Sequence, residues 1–285
     1  MHLQIVLICS LIALGVSTYY LPHDQDETAE PSSHPQARYI VSIQTKLPRS
    51  RYFGTNHVCV GTIVAPIFVL TTTHCIYNRS RVMHPDELLI IAGAPNRQKP
   101  TEHARLMHVQ SVYPRASSGI IHNLDLALLR IRDQDTLELN LTFNLGIASL
   151  ATLPSSGYLR CTRFGWERAE TNESLAGLLS PRTLQLQPQK FCLSLFPGFY
   201  RTHWLCATAL PDASQNVCGG DPGGPLFCGG HLAGIYMRDA MCSRRYPALF
   251  VSIAAYNDWI QKAFSGAQRA LPFILWLSLG LFELI

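Results

Sequence analysis

Charge is scarce in this chain of 285 residues: Asp, Glu, Lys and Arg make up 15% of it, and the formal balance is only +4. No long basic run and no aromatic-interleaved basic patch accompanies that balance, so nucleic acid is excluded as a partner. Repeats are absent as well. No self-similar period runs through the chain, which excludes a solenoid. Neither histidine nor cysteine clusters at zinc-like spacing, Cys59 and Cys75 being too far apart for a knuckle, so no metal and no other cofactor is expected. Apolar runs are short. The run from Leu3 to Ser17 falls below the length of a membrane-spanning helix, and the terminal run Leu271 to Ile285 would cover about 22 Å as a helix against about 30 Å of hydrocarbon. Glu283 further opposes a span.

What is present is a chain able to bury a large core, with 47% apolar residues. The apolar run over residues 1–17, with its small-residue exit near Ser17, reads as a secretory signal peptide and implies an oxidising, extracellular destination. Residues 18–38 are polar, acidic and proline-rich, a flexible linker. From Tyr39 to Phe264 short β-branched runs alternate with turn residues, as in Tyr39 to Gln44, Phe68 to Thr73 and Met107 to Pro114, which predicts an all-β barrel protein. Helical periodicity is clear mainly in Ile253 to Phe264. Removal of Cys9 with the leader leaves eight of nine cysteines, an even number suited to disulfides, although parity alone fixes no connectivity. Three tripeptides, at Asn78, Asn140 and Asn172, are N-glycosylation sequons.

Several segments carry chemistry. Cys59-Val60-Gly61-Thr62-Ile63 is followed by Thr71-Thr72-Thr73-His74-Cys75, then by Asn123-Leu124-Asp125-Leu126-Ala127-Leu128-Leu129, by Cys161-Thr162-Arg163-Phe164-Gly165-Trp166, and by Cys218-Gly219-Gly220-Asp221-Pro222-Gly223-Gly224-Pro225-Leu226. In that order they resemble the landmarks of the trypsin/chymotrypsin-like serine peptidases, over nearly all of Tyr39 to Phe264. The resemblance implies two antiparallel six-stranded β-barrels with a C-terminal helix. It places His74 at the general base and Asp125 at the carboxylate that orients it, Gly220 at one oxyanion-hole donor, and Cys59–Cys75, Cys161–Cys228, Cys192–Cys206 and Cys218–Cys242 as disulfide pairs.

The same resemblance marks the departures. Pro222 stands where the attacking serine belongs, and proline brings neither a hydroxyl nor a backbone N–H for the oxyanion hole. Asn216 occupies the pocket floor where trypsin-like members carry an aspartate. Met237-Arg238-Asp239 replaces the Ser-Trp-Gly wall, and Ala248 replaces a pocket glycine. Arg38-Tyr39-Ile40-Val41 imitates an activation site, but its spacing to Cys59 places Ile40 to Gln44 on the first long strand. Asp221 therefore lacks the ammonium that would pair with it, so either the pocket stays zymogen-like or Asp221 is satisfied locally. His74 and Asp125 are expected as a buried, mutually bonded pair left from an ancestral site, since a base without a nucleophile has no proton to take.

These features describe a secreted, non-catalytic serine peptidase homologue, a binding or regulatory module for an extracellular protein partner such as a protease or its substrate. The regulatory role is analogy at the level of fold. Two alternatives belong to other classes: an active endopeptidase with an unconventional nucleophile, and a cell-surface adhesion or receptor-like component. For the last, the only hint is the apolar tail over residues 265–285, which has features of a lipid-anchor signal with a short spacer or else is a simple extension.

Overall fold

Strands whose two faces are both apolar cannot sit at a solvated sheet surface, and this chain has many of them. The computed structural model describes residues 34–46, 54–78, 81–99, 101, 104–115, 126–135, 145–153, 157–166, 177–211, 220–239 and 246–269. In chain order come β1 (Ile40–Thr45), β2 (His57–Ala65), β3 (Phe68–Thr71), the short hairpin β4 (Tyr77–Asn78) and β5 (Arg81–Val82), then β6 (Leu88–Ala92), β7 (Arg105–Pro114) and β8 (Ala127–Ile131). After a connecting segment follow β9 (Arg160–Gly165), β10 (Ser180–Leu186), α1 (Gln189–Leu195), β11 (Trp204–Ala209), β12 (Pro225–Cys228), β13 (His231–Asp239), β14 (Ala248–Ser252) and α2 (Ile253–Arg269). Two barrels close, in the orders β1-β2-β3-β8-β7-β6 and β10-β11-β14-β13-β12-β9, and their pairings are antiparallel.

Alternation along each strand explains the double burial. In β1 and β2, Val41, Ile43, Cys59 and Ile63 fill the first barrel, while Ile40, Val60 and Val64 turn outward against the second. In β9 and β12, Cys161, Leu226 and Cys228 face the interior of the second barrel, and Phe164 and Phe227 face the first. The shared layer between the barrels is thus built from the outward residues of both, and Tyr256 and Ile260 of α2 join it. The connecting segment is bonded to each barrel, with Ala148 N–H donating to Ile63 O at 2.8 Å and Leu232 N–H to Ser149 O at 2.7 Å. Disulfides join Cys59 to Cys75, Cys161 to Cys228 and Cys192 to Cys206. The expected pair Cys218–Cys242 lies outside the described residues.

Two boundaries differ from the sequence reading. The end of the linker is ordered: Pro35–Tyr39 form a 3₁₀ helix in which the His34 ring accepts from Gln36 N–H. His34 packs edge-on against Phe164 at 4.9 Å and Tyr39 lies 5.8 Å from Phe227, so aromatic contacts with the second barrel hold this turn in place. Arg38 donates to Leu145 O at 3.1 Å, and Ile40 and Val41 are buried in β1. The segment that imitates an activation site is therefore built into the wall. At the other end, α2 continues to Arg269 rather than stopping at Phe264, because the next proline is Pro272 and Ser265 Oγ bonds back to Gln261 O at 3.0 Å.

Candidate functional site

The loop carrying Pro222 enters β12 between the two barrels, and its path depends on two glycines. Gly223 has φ +85°, and a Cβ there would come 2.1 Å from Val60 O and 2.4 Å from Thr71 Oγ1. A Cβ on Gly224 would lie 2.6 Å from Phe164 O. The chain therefore passes so close to β2, β3 and β9 that no side chain fits. The loop is also bonded to both barrels: Val60 N–H donates to Pro222 O at 2.9 Å, Gly223 N–H to Tyr236 O at 3.0 Å and Tyr236 N–H to Gly224 O at 2.7 Å. Residue 222 is thus presented on a fixed frame. What it presents is a pyrrolidine ring.

Across β3 lies the histidine block. Thr71 Oγ1 donates to Val60 O at 2.7 Å and Thr73 Oγ1 to Leu126 O at 2.9 Å, and Cys75 is bridged to Cys59. His74 sits in the single 3₁₀ turn Thr73–Ile76. Its side chain is exposed rather than buried as expected, because Thr73, Cys75 and Ile76 take the inward positions of that turn, and the expected pairing with Asp125 falls on a residue outside the described ones. Asp125 lies outside the described residues; its neighbour Leu126 is buried and tied to Thr73. Asn216, Asn140 and Asn172 also lie outside them. Asn78 is exposed at the end of β4.

Asp221 is satisfied locally. Its Oδ2 accepts Trp166 N–H at 2.6 Å and faces His57 Nε2 at 3.6 Å, a distance for an ionic contact rather than a hydrogen bond. His57 is held from its other side: Nδ1 is 2.8 Å from Ser42 Oγ, to which Gln44 Nε2 donates at 3.2 Å, and its ring packs edge-on against Trp166 at 5.3 Å. The His57 side chain is 6% exposed, and Ser42 and Gln44 are buried. Burial by itself would raise the Asp221 carboxyl; the His57 ring, the Trp166 N–H and the charge of Arg97 outweigh it and hold the carboxyl below its ordinary value. The signal for this group was two polar residues, Ser42 and Gln44, on one face of an otherwise apolar strand, with a histidine just ahead of Cys59.

Of the expected pocket positions, Met237 and Ala248 are packed into apolar layers. The pairing of β13 with β14 jumps from Tyr236↔Phe250 to Arg238↔Leu249, leaving Met237 as an extra residue whose side chain is 9% exposed and turned into the layer between the barrels. Ala248, 1% exposed, pairs with Asp239 and packs inside the second barrel with Tyr236 and Phe250. Gly220 is half-buried, with Arg163 and Tyr236 directly behind it. The sequence reading did not single out Arg163 or Tyr236; the available signal was a charged residue at an inward position of β9, two residues after Cys161.

The family model described as Trypsin matches residues 27–260 of this chain. The chain belongs to the trypsin family. Kallikrein-8 of Homo sapiens is 31% identical to it over 73% of this chain and 78% of the relative, and a chymase of Mus musculus is 27% identical over 92% and 98%. Among solved structures, neuropsin, a serine protease expressed in the limbic system of mouse brain, superposes with a TM-score of 0.64 over 82% of this chain and 96% of its own, at 23% sequence identity. That likeness establishes the chymotrypsin-like two-barrel fold. Residue 222 is a proline, so its side chain supplies no group that could attack a carbonyl.

Proposed function

We propose that this trypsin-family chain is a non-catalytic homologue that works as a secreted binding or regulatory module, engaging an extracellular protein such as a protease or a protease substrate. The observation that carries the reading is Pro222 on an otherwise intact loop frame. The frame that holds the residue is kept, and both the hydroxyl and the N–H that acyl transfer needs at that residue are missing. Nearby hydroxyls support it, since Thr71 and Thr73 both donate to backbone carbonyls. The disulfides fit an oxidising compartment and hence an extracellular site of action.

Labelling with a fluorophosphonate probe and digestion of a broad peptide library test the reading. Neither the natural chain nor Pro222→Ser should react or turn over substrate. The substitution restores a hydroxyl and an N–H, yet Asp221 is already engaged by Trp166 and His57, and the wall residues Met237, Arg238 and Asp239 are unlike those that hold a substrate chain. Turnover by the natural chain that His74→Ala abolishes would overturn the proposal.

A further inference from the structure

Among the described residues, the two largest side chains to be fully buried are Arg163 and Tyr236, at 1% and 2% exposure. Both point into the second barrel behind the loop that bears Gly220. Arg163 follows Cys161 by two positions on β9 and shares its inward face, and its strand neighbours in the sheet are Leu226 and Arg182. Its guanidinium carbon lies 5.2 Å over the centre of the Tyr236 ring. Tyr236 meets Phe250 edge to face at 5.6 Å and packs with Leu226 and Ala248. Nη1 of Arg163 and Cε1 of Tyr236 lie 2.4 Å and 3.1 Å from the point where a Gly220 Cβ would stand, so both press directly on the Gly220 backbone.

A flat guanidinium on an aromatic face fills a slot without leaving a void, and the stack is favourable when water is excluded. We infer that Arg163 and Tyr236 form an internal plug that occupies the space between Gly220 and Phe250 and leaves no room there for an inserted side chain. The plug is part of the folded core, and Tyr236 shares its apolar cluster with Ala248. A partner of this chain is then recognised by its outer surface, with no side chain inserted behind Gly220. The inference deepens the non-catalytic reading and rests on it only for the word partner; the filled space stands on geometry alone.

The experiment is thermal unfolding of the purified full chain with and without saturating benzene, a probe that enters dry apolar cavities of about 150 Å³. The natural chain and Arg163→Met, which keeps the length of the side chain and most of its volume, should show midpoints that benzene does not move. Arg163→Ala/Tyr236→Val should show a midpoint that rises with benzene concentration, as linkage requires of a ligand that binds only the folded state. Tyr236→Ala alone carries the same expectation should the double variant fail to accumulate. A benzene-dependent rise in the natural chain would overturn the plug, as would a truncated variant with native near-UV dichroism and no response. Fluorophosphonate labelling of the same samples separates the two claims: labelling of the natural chain refutes the non-catalytic reading and leaves the plug standing, while benzene binding by an unlabelled natural chain does the reverse.

Discussion

Gly223 shows how tightly the loop is specified. A methyl group there would have to displace Val60 O and Thr71 Oγ1 and would also adopt φ +85°, a region that L residues enter at a cost of about 1–3 kcal/mol before any clash is counted. Gly223→Ala should therefore destabilise the fold by about 3 kcal/mol or more, read as a lower urea midpoint. Asp221 gives a prediction with a sign. Its carboxyl is held below its ordinary value, so it contributes stability above that value and loses the contribution as pH falls through the folded-state value. His57→Ala removes the leading favourable partner while Trp166 N–H remains, at a cost of about 1–3 kcal/mol near neutral pH. Its acid unfolding transition should move to higher pH; an unchanged transition would show that His57 does not hold Asp221. Pro222 was legible in the chain because the loop motif is contiguous. The His57, Ser42 and Gln44 group was not, because its meaning lies in a carboxylate delivered by the other barrel.

Elements were legible where their signals were local. The first strand follows from the alternation of Ile40 to Gln44, and the terminal helix from the spacing of Ile253, Tyr256 and Ile260. Their ends were less so. The turn Pro35–Tyr39 is fixed by Phe164 and Phe227 of the second barrel, and a linker composition gives no hint of such partners. The helix passes Phe264, whose ring lies 5.1 Å from that of Phe68, and takes in residues that composition assigned to the tail. The hairpin β4–β5 adds a modification prediction, since Asn78, which opens its sequon, is the exposed residue of the two-residue strand β4 and is within reach of a glycosyltransferase. Expressed through a secretory pathway, the chain should lose mass on treatment with peptide N-glycosidase, and Asn78→Gln should remove part of that shift. A shift unaffected by Asn78→Gln would assign the glycan to Asn140 or Asn172.

At the scale of the molecule, two closed barrels could unfold as independent units, and a chain of this size commonly does not behave as a two-state system. The distribution of apolar residues argues otherwise here. The layer between the barrels takes Val60, Phe68 and Leu70 from one and Phe164, Phe227 and Leu249 from the other, and α2 crosses from the second barrel to Phe68 of the first. Each barrel alone would expose that whole layer, so losing one removes the burial that stabilises the other. Phe227 is the sharpest probe: it is 2% exposed, belongs to the second barrel by sequence and packs in the shared layer. Phe227→Ala should cost about 3–5 kcal/mol and lower the stability of both barrels together. Hydrogen exchange read by mass spectrometry should then show β1, β2 and β8 losing protection along with β9, β12 and β14, through one calorimetric transition. Selective loss in the second barrel, or two resolved transitions, would show that the layer between them is a contact of independent domains rather than a common core.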